Sequence, residues 1–156
     1  MKSKLRIVSG GQTGVDRAAL DAALELEMPC GGWCPLGRLA EDGPIPQRYP
    51  LTETSTDHYV ERTRRNVIDS NATLIVYFTT LEGGTKKTVQ FCQLHHKPVL
   101  ELDMADQDES AAVASLVAFM LENKVEVLNV AGPRASKQKL AYPVTKALIT
   151  SVLRLI

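Results

Sequence analysis

Glycines at three points, each following a strand-like apolar run and preceding a helix-like one, set the chemistry open to this chain. The breaks are Ser9-Gly10-Gly11-Gln12-Thr13-Gly14, Glu82-Gly83-Gly84-Thr85-Lys86-Lys87 and Ala131-Gly132-Pro133-Arg134. Glycine lets backbone approach a ligand closely, and the first turn of a helix presents unpaired N–H groups with partial positive charge, so each break can hold an anion. Thr13 and Thr85 add hydroxyls, the amides of Gly11, Gly84 and Thr85 can ring a phosphate, Arg134 can fork onto its oxygens, and Lys86 and Lys87 add charge. A tight strand-to-helix turn explains any one of these loops without a ligand. Three together point to a phosphorylated one. The first loop lacks Gly-x-Gly-x-x-Gly spacing and no Gly-Lys-Ser/Thr closes a P-loop, which disfavours ordinary NAD binding and ATP hydrolysis.

Other chemistry-bearing residues are less directive. Asp16 and Arg17 open the first helix; an acid there is stabilised by the helix dipole by about 0.3–1 kcal/mol with no ligand, and beside a phosphate site it can also meet a ribose-like hydroxyl or a cation. Arg17 is the better functional candidate than Asp21. Arg62, Arg64 and Arg65 cluster on one helix, where Arg62 can face an anion and the other two are expected in solvent. Glu41 and Asp42 are the acid/base candidates if the chain is an enzyme, although no histidine stands near them. His58, His95 and His96 lack metal-ligand spacing, and no metal site is expected. Cys30, Cys34 and Cys92 are an odd number for a disulfide framework and read as free thiols, Cys92 as a buried apolar side chain.

The elements that must position these residues alternate between two hydrophobic periods, the mark of β-α-β units. Strands are expected over 5–8, 30–34, 73–78, 99–102 and 125–130. Helices are expected over 15–26, around 60–68 with Thr56 or Asp57 as cap, over 86–94, around 113–121 with Ser110 as cap, and over 140–155. The fold expected is a single α/β domain over 1–156, three-layered, with a doubly wound, mostly parallel sheet of about five strands and helices on both faces. Residues 35–55 break the alternation, with Pro35, Pro44, Pro46 and Pro50 among them. Trp33, Leu36, Leu39, Ile45, Tyr49 and Leu51 give that loop apolar groups for packing, and it is read as an ordered lid or wall over the site.

The 156 residues, 44% of them hydrophobic, suit one domain with a sizeable core. Eighteen basic residues balance eighteen acidic ones, so the charge advertises neither a nucleic-acid nor a membrane partner. Without a signal-like or bilayer-length apolar run, a cytoplasmic protein is expected.

The stretch from Ser9 to Asp21, Gly37-Arg38-Leu39-Ala40-Glu41-Asp42-Gly43 with Arg48-Tyr49-Pro50-Leu51, Glu61-Arg62-Thr63-Arg64-Arg65-Asn66-Val67, Gly83-Gly84-Thr85 and Asn129-Val130-Ala131-Gly132-Pro133-Arg134 together resemble the molybdenum carrier family. The resemblance covers nearly the whole chain. It implies a Rossmann-like fold related to the lysine-decarboxylase-like/LOG nucleotide-binding superfamily, which includes cytokinin-activating phosphoribohydrolases. It implies binding of molybdenum cofactor for storage or delivery to molybdoenzymes, and a homo-oligomer, dimer or tetramer. Carried over, Gly10, Gly11, Thr13, Gly14, Gly83, Gly84, Thr85 and Arg134 line a phosphate and pterin pocket, with Arg17, Arg38 and Arg62 in support; Lys86 and Gly132 complete the candidate set. The phosphoribohydrolase relatives place a catalytic glutamate shortly after the glycine loop, where this chain has Lys86, Lys87 and Thr88. Binding without turnover is therefore the leading expectation. The alternatives are a nucleotide or nucleotide-sugar hydrolase, or a nucleotide-sensing regulator, with a nucleotide in place of the cofactor.

Overall fold

A computed structural model of the chain describes residues 4–156. Five parallel strands form its sheet: β1 (Arg6–Val8), β2 (Cys30–Gly31), β7 (Ala72–Tyr77), β8 (Val99–Asp103) and β9 (Val127–Ala131). Their order in space is β2-β1-β9-β7-β8. The centre of the sheet is apolar on both faces, with Ala72, Leu74, Ile75 and Val76 of β7 at 0% exposure, as a parallel sheet covered by helices requires. Helices α1 (Val15–Glu25), α4 (Glu109–Glu122) and α5 (Ala141–Leu155) pack together on one face, and α2 (Tyr59–Ile68) and α3 (Gly83–Leu94) on the other. The α/β, doubly wound fold expected from the sequence is the one observed.

Small side chains set the α1 packing. Ala18, Ala19, Ala22 and Ala23 are all at 0% exposure, so this helix is buried on most of its circumference, between α5 and the long loop. The main core runs from Ile7, Leu74 and Leu128 of the sheet to Leu116 of α4 and Leu148 and Val152 of α5.

Strand order carries a positional consequence. The last strand, β9, inserts between the first, β1, and the middle strand, β7. Counted from β7 instead of β1, the sheet reads second-first-third-fourth-fifth, the common doubly wound order in which ligands bind where the first and third strands diverge. Here those strands are β7 and β9. The loop leaving β7 enters α3 on one face and the loop leaving β9 enters α5 on the other, which opens a crevice at their carboxyl ends.

Several local expectations shift. The helix expected from residue 86 begins at Gly83, which brings the second glycine pair into its first turn. Asp108 rather than Ser110 caps α4, accepting from the Ala111 amide at 2.8 Å, and α2 starts after His58 with no side-chain cap from Thr56 or Asp57. Residues 30–34 divide into β2 and a second short strand, β3 (Trp33–Cys34), which pairs outside the main sheet with β6 (Thr52–Glu53). Within the long loop, β4 (Leu39–Ala40) and β5 (Gly43–Pro44) form a small antiparallel hairpin.

Candidate functional site

The crevice between β7 and β9 is a cleft of about 600 Å3. The carboxyl ends of β7 and β9 supply its floor, through Tyr77, Phe78 and the stretch from Asn129 to Gly132. One wall is α3, with Gly83, Gly84, Thr85 and Lys87; another is α2, with Tyr59, Arg62 and Thr63. Gly10, Gln12 and Asp16 close the β1 end, while Arg134, Lys137 and Gln138 stand at the mouth. The three loops singled out by sequence therefore meet, and seven of the candidate ligand residues line the cleft: Gly10, Arg62, Gly83, Gly84, Thr85, Gly132 and Arg134.

What a Cβ would meet sorts these glycines by role. At Gly10 it would stand 2.5 Å from Arg62 Nη1, and at Gly132 2.4 Å from the Val76 carbonyl oxygen, so both are glycine because protein atoms fill the space. At Gly84, inside a helix and without a positive φ, it would meet nothing within 4 Å. Gly83 also faces open space but sits at φ 54°, in the left-handed region that favours glycine. Packing explains Gly10 and Gly132; it does not explain Gly84.

The N-cap residue of α3 is Glu82, an exposed acid on the cleft lining whose side chain does not cap the helix. The first turn itself holds no acid. Among the described residues, the Gly83, Gly84 and Thr85 amides donate to no protein acceptor. Thr85 is 8% exposed and lines the cleft with a hydroxyl that makes no protein hydrogen bond among the described residues. Lys86 is exposed and does not line the cleft, whereas its neighbour Lys87 does.

At the opposite end, Arg62 is 8% exposed; it donates to the Gly10 carbonyl at 2.7 Å and lies over the Tyr59 ring at 5.1 Å. Asp16 is 7% exposed on the same stretch of wall. Burial pushes its carboxyl up to about 6, against the opposing pull of Arg62, Arg17 and the Gln12 and Gly10 amides. Sequence reasoning named Asp16 without choosing it. The available signal was an acid two residues past a glycine loop, on a helix whose other first-turn positions, Val15 and Ala18, are apolar apart from Arg17. Asn129, whose amide donates to Thr73 Oγ1 at 3.3 Å, is a floor residue that the sequence reading left out.

The remaining candidates face away from the cleft and fasten the long loop. Arg38 donates to the carbonyls of Ile45, Leu51, Pro46 and Tyr49 at 2.8–3.3 Å, which spends its guanidinium on closing residues 38–51 into one unit. Arg17 forks onto Asp42 at 2.5 and 2.7 Å and reaches the Gly11 carbonyl at 3.0 Å. Glu41 accepts from Thr13 Oγ1, from the Ser136 hydroxyl at 2.5 Å and from the Ser136 amide at 3.2 Å, and stands 3.5 Å from Arg134. Thr13 in turn accepts from the Ala135 amide at 3.1 Å. A Cβ at Gly11 would press on Leu51, and one at Gly14 on the Pro133 carbonyl. Gly11, Thr13, Gly14, Arg17 and Arg38 thus bind the chain to itself.

The same contacts bear on Glu41 and Asp42 as acid/base candidates. Burial works against the charged form of Glu41, yet hydrogen bonds from Ser136 and Thr13 outweigh it and hold the carboxyl below its ordinary range. Asp42 is lowered mainly by the hydrogen bonds from Arg17. Neither lines the cleft, nor does any residue of 35–55. The loop backs the first glycine loop instead of covering the site. It is also pinned to the helices through Asp21, which accepts from the Tyr49 hydroxyl at 2.7 Å and the Tyr142 hydroxyl at 2.5 Å.

A family model, described as the circularly permutated YpsA SLOG family, matches residues 7–153. The chain belongs to this family. The strand order gives the description a physical meaning, because moving the start of the chain to β7 restores the common doubly wound sequence of strands. A solved structure from Syntrophus aciditrophicus SB, named "putative molybdenum carrier protein", is 41% identical with a TM-score of 0.93, covering 98% of this chain and 97% of that one. The chain is thus similar to a carrier-type protein over its whole described length. No curated protein matches it. No helix among the described residues is long and apolar enough to cross a membrane, and those residues contain no group of three or more His, Cys, Asp or Glu that could hold a metal ion.

Proposed function

We propose that the chain binds a phosphorylated pterin or nucleotide-like ligand in the β7/β9 cleft, its phosphate on the amides of Gly83, Gly84 and Thr85, and that it carries molybdenum cofactor for storage or delivery. The observation behind this reading is Gly84. A helical glycine weakens its helix relative to alanine by roughly 0.5–1 kcal/mol, and here no protein atom accounts for it. A phosphate resting on the helix start does account for it, since a methyl group would stand between the ligand and the amides. Thr85 adds a hydroxyl donor, and Arg134 and Lys137 at the mouth add positive charge.

The choice of molybdenum cofactor, a phosphorylated pterin, over other ligands of that shape follows the resemblance to the molybdenum carrier family, and the name of the solved relative, "putative molybdenum carrier protein", supports it. The metal would travel as cargo on the cofactor's own dithiolene, because no cysteine lines the cleft and its two carboxylates, Asp16 and Glu82, come from different ends of it. Carriage fits the acidic residues better than hydrolysis by Glu41 or Asp42, both of which are occupied as clamps. A homo-oligomer handing the cofactor to molybdoenzymes belongs to the same proposal.

Anaerobic titration with molybdenum cofactor, with AMP as competitor, tests the function. Saturable cofactor binding that AMP barely disturbs supports carriage. AMP binding without cofactor binding moves the chain to the nucleotide-sensing or nucleotide-processing alternatives.

A further inference from the structure

Asp16 is the one buried carboxylate on the cleft wall, and the protein leaves it incompletely satisfied. An ionised carboxylate offers about four acceptor positions. The Gln12 amide occupies one at 3.2 Å and the Gly10 amide turns on another. Arg62 makes no ion pair with it within 4 Å, being committed to the Gly10 carbonyl at 2.7 Å and to Thr63 Oγ1 at 3.3 Å. The hydrogen bond from Ser9 Oγ goes to the Asp16 main-chain oxygen, not to its carboxylate. A carboxylate nine-tenths buried, with Arg62 and Arg17 near enough to favour its charge but neither in direct ion pair with it, is costly to the fold. Its position on the cleft wall suggests that ligand groups supply what the protein does not.

The position fixes which part of the ligand that is. The α3 start lies beyond β7 and Asp16 beyond β1, with β9 between, so the two ends of the cleft are two strand spacings apart, about 10 Å. With a phosphate at α3, the far end of the ligand meets Asp16. An anionic group there would be repelled, and a ring edge with only acceptors would leave the carboxylate without a partner. Two adjacent N–H donors match its two oxygens in the way that a carboxylate accepts paired donors elsewhere.

Resting on the phosphate placement above, we infer that Asp16 selects the ring of the ligand, its carboxylate accepting the adjacent ring N–H and 2-amino group of a 2-amino-4-oxopyrimidine edge, the edge common to pterins and guanine. Arg62, held over the Tyr59 ring, keeps the far end of the cleft from accumulating net negative charge. Asp16 is then a specificity-determining residue, and the cleft discriminates by hydrogen-bond polarity rather than by size.

Equilibrium titrations of the full chain with GMP, IMP, AMP, neopterin monophosphate and inorganic phosphate test this. GMP presents both donors, IMP only the ring N–H, and AMP an acceptor nitrogen beside its amino group. The expected order is GMP and neopterin monophosphate tightest, IMP weaker, and AMP about ten- to hundredfold weaker than GMP, as for one hydrogen bond to a charged group gained or lost. The ratio of GMP to neopterin monophosphate tells which ring the cleft takes. Asp16→Asn is expected to bring GMP to the AMP level while leaving AMP within about threefold, because the amide turns an N–H2 toward the donors. Equal affinity for the three nucleotides on the unmodified protein overturns the inference, whether or not the variant folds. So does an equal loss for all three in the variant together with weaker binding of 2′-deoxy-GMP, which would place Asp16 on the ribose. If neither the nucleotides, the pterin nor phosphate binds, the cleft reading itself fails and takes this inference with it.

Discussion

Replacing Gly84 by alanine is expected to stabilise the free protein while weakening its binding of a phosphorylated ligand. The residue lies in the first turn of α3 with no positive φ, and a Cβ built on it meets nothing within 4 Å. Alanine then gains helix propensity with no steric cost, roughly 0.5–1 kcal/mol, which in a domain of this size raises Tm by about 1–4 °C. The new methyl occupies the space in which a phosphate would approach the Gly84 and Thr85 amides. Losing even one hydrogen bond to a charged group costs about 1.5–3 kcal/mol, so affinity for a phosphorylated ligand falls at least about tenfold. Scanning calorimetry and titration with GMP or molybdenum cofactor measure the two effects on the same sample. Gly10→Ala and Gly132→Ala are the contrasting controls. Their Cβ atoms would press on the buried Arg62 guanidinium and on the Val76 carbonyl, and overpacking of that kind costs about 1–3 kcal/mol. A lower Tm for Gly84→Ala, or unchanged affinity, would refute the argument that this glycine is kept for a ligand.

Other perturbations separate the cleft from the clamp behind it. Arg134→Ala is expected to weaken phosphate-ligand binding about ten- to hundredfold with little change in Tm, since the side chain lines the mouth and is 41% exposed. Arg38→Ala removes donors from four loop carbonyls and is expected to lower stability by about 2–3 kcal/mol in urea denaturation, with Arg38→Lys failing to restore it because an ammonium cannot reproduce the fork. Asp16 makes a pH prediction. Burial pushes its folded carboxyl up to about 6, above the ordinary aspartate range, so its contribution to stability is full below about pH 4 and is lost as pH rises through 6. Asp16→Asn should therefore stabilise the protein by up to about 3 kcal/mol at pH 7.5 and by much less at pH 4, read from Tm across that range; equal shifts at both pH values would contradict the desolvated carboxylate.

The sequence exposed the features whose signal is local. The alternation of strand and helix followed from hydrophobic period, and β7 stood out because its buried residues are contiguous and β-branched or aliphatic. Local pattern places each of the three glycine loops after a strand, and the structure brings them together at the carboxyl ends of the parallel strands, where ligands sit in such sheets. The features the sequence hid depend on pairing across distance. Nothing local places β9 between β1 and β7, because the residues of a strand do not reveal which neighbouring strand they bond. Arg17 reads as a functional candidate from its place after the first glycine loop, and Arg38 only through the family resemblance; their partners, Asp42 and the carbonyls of residues 45–51, are met only when the long loop folds back. The strands inside that loop have two residues each, too short to show a period. Asp16 had an ordinary explanation as a helix-start acid, and only its burial on the cleft wall sets it apart.

The most direct test of the cleft is where a ligand perturbs the backbone. In a titration with GMP followed by amide NMR, the account predicts the largest shifts at Gly83, Gly84 and Thr85, a second group at Gly10, Gln12 and Asp16, and little change at Gly11, Thr13 and Arg38. Shifts centred on Gly11, Thr13 and Arg38, with the start of α3 silent, would contradict it.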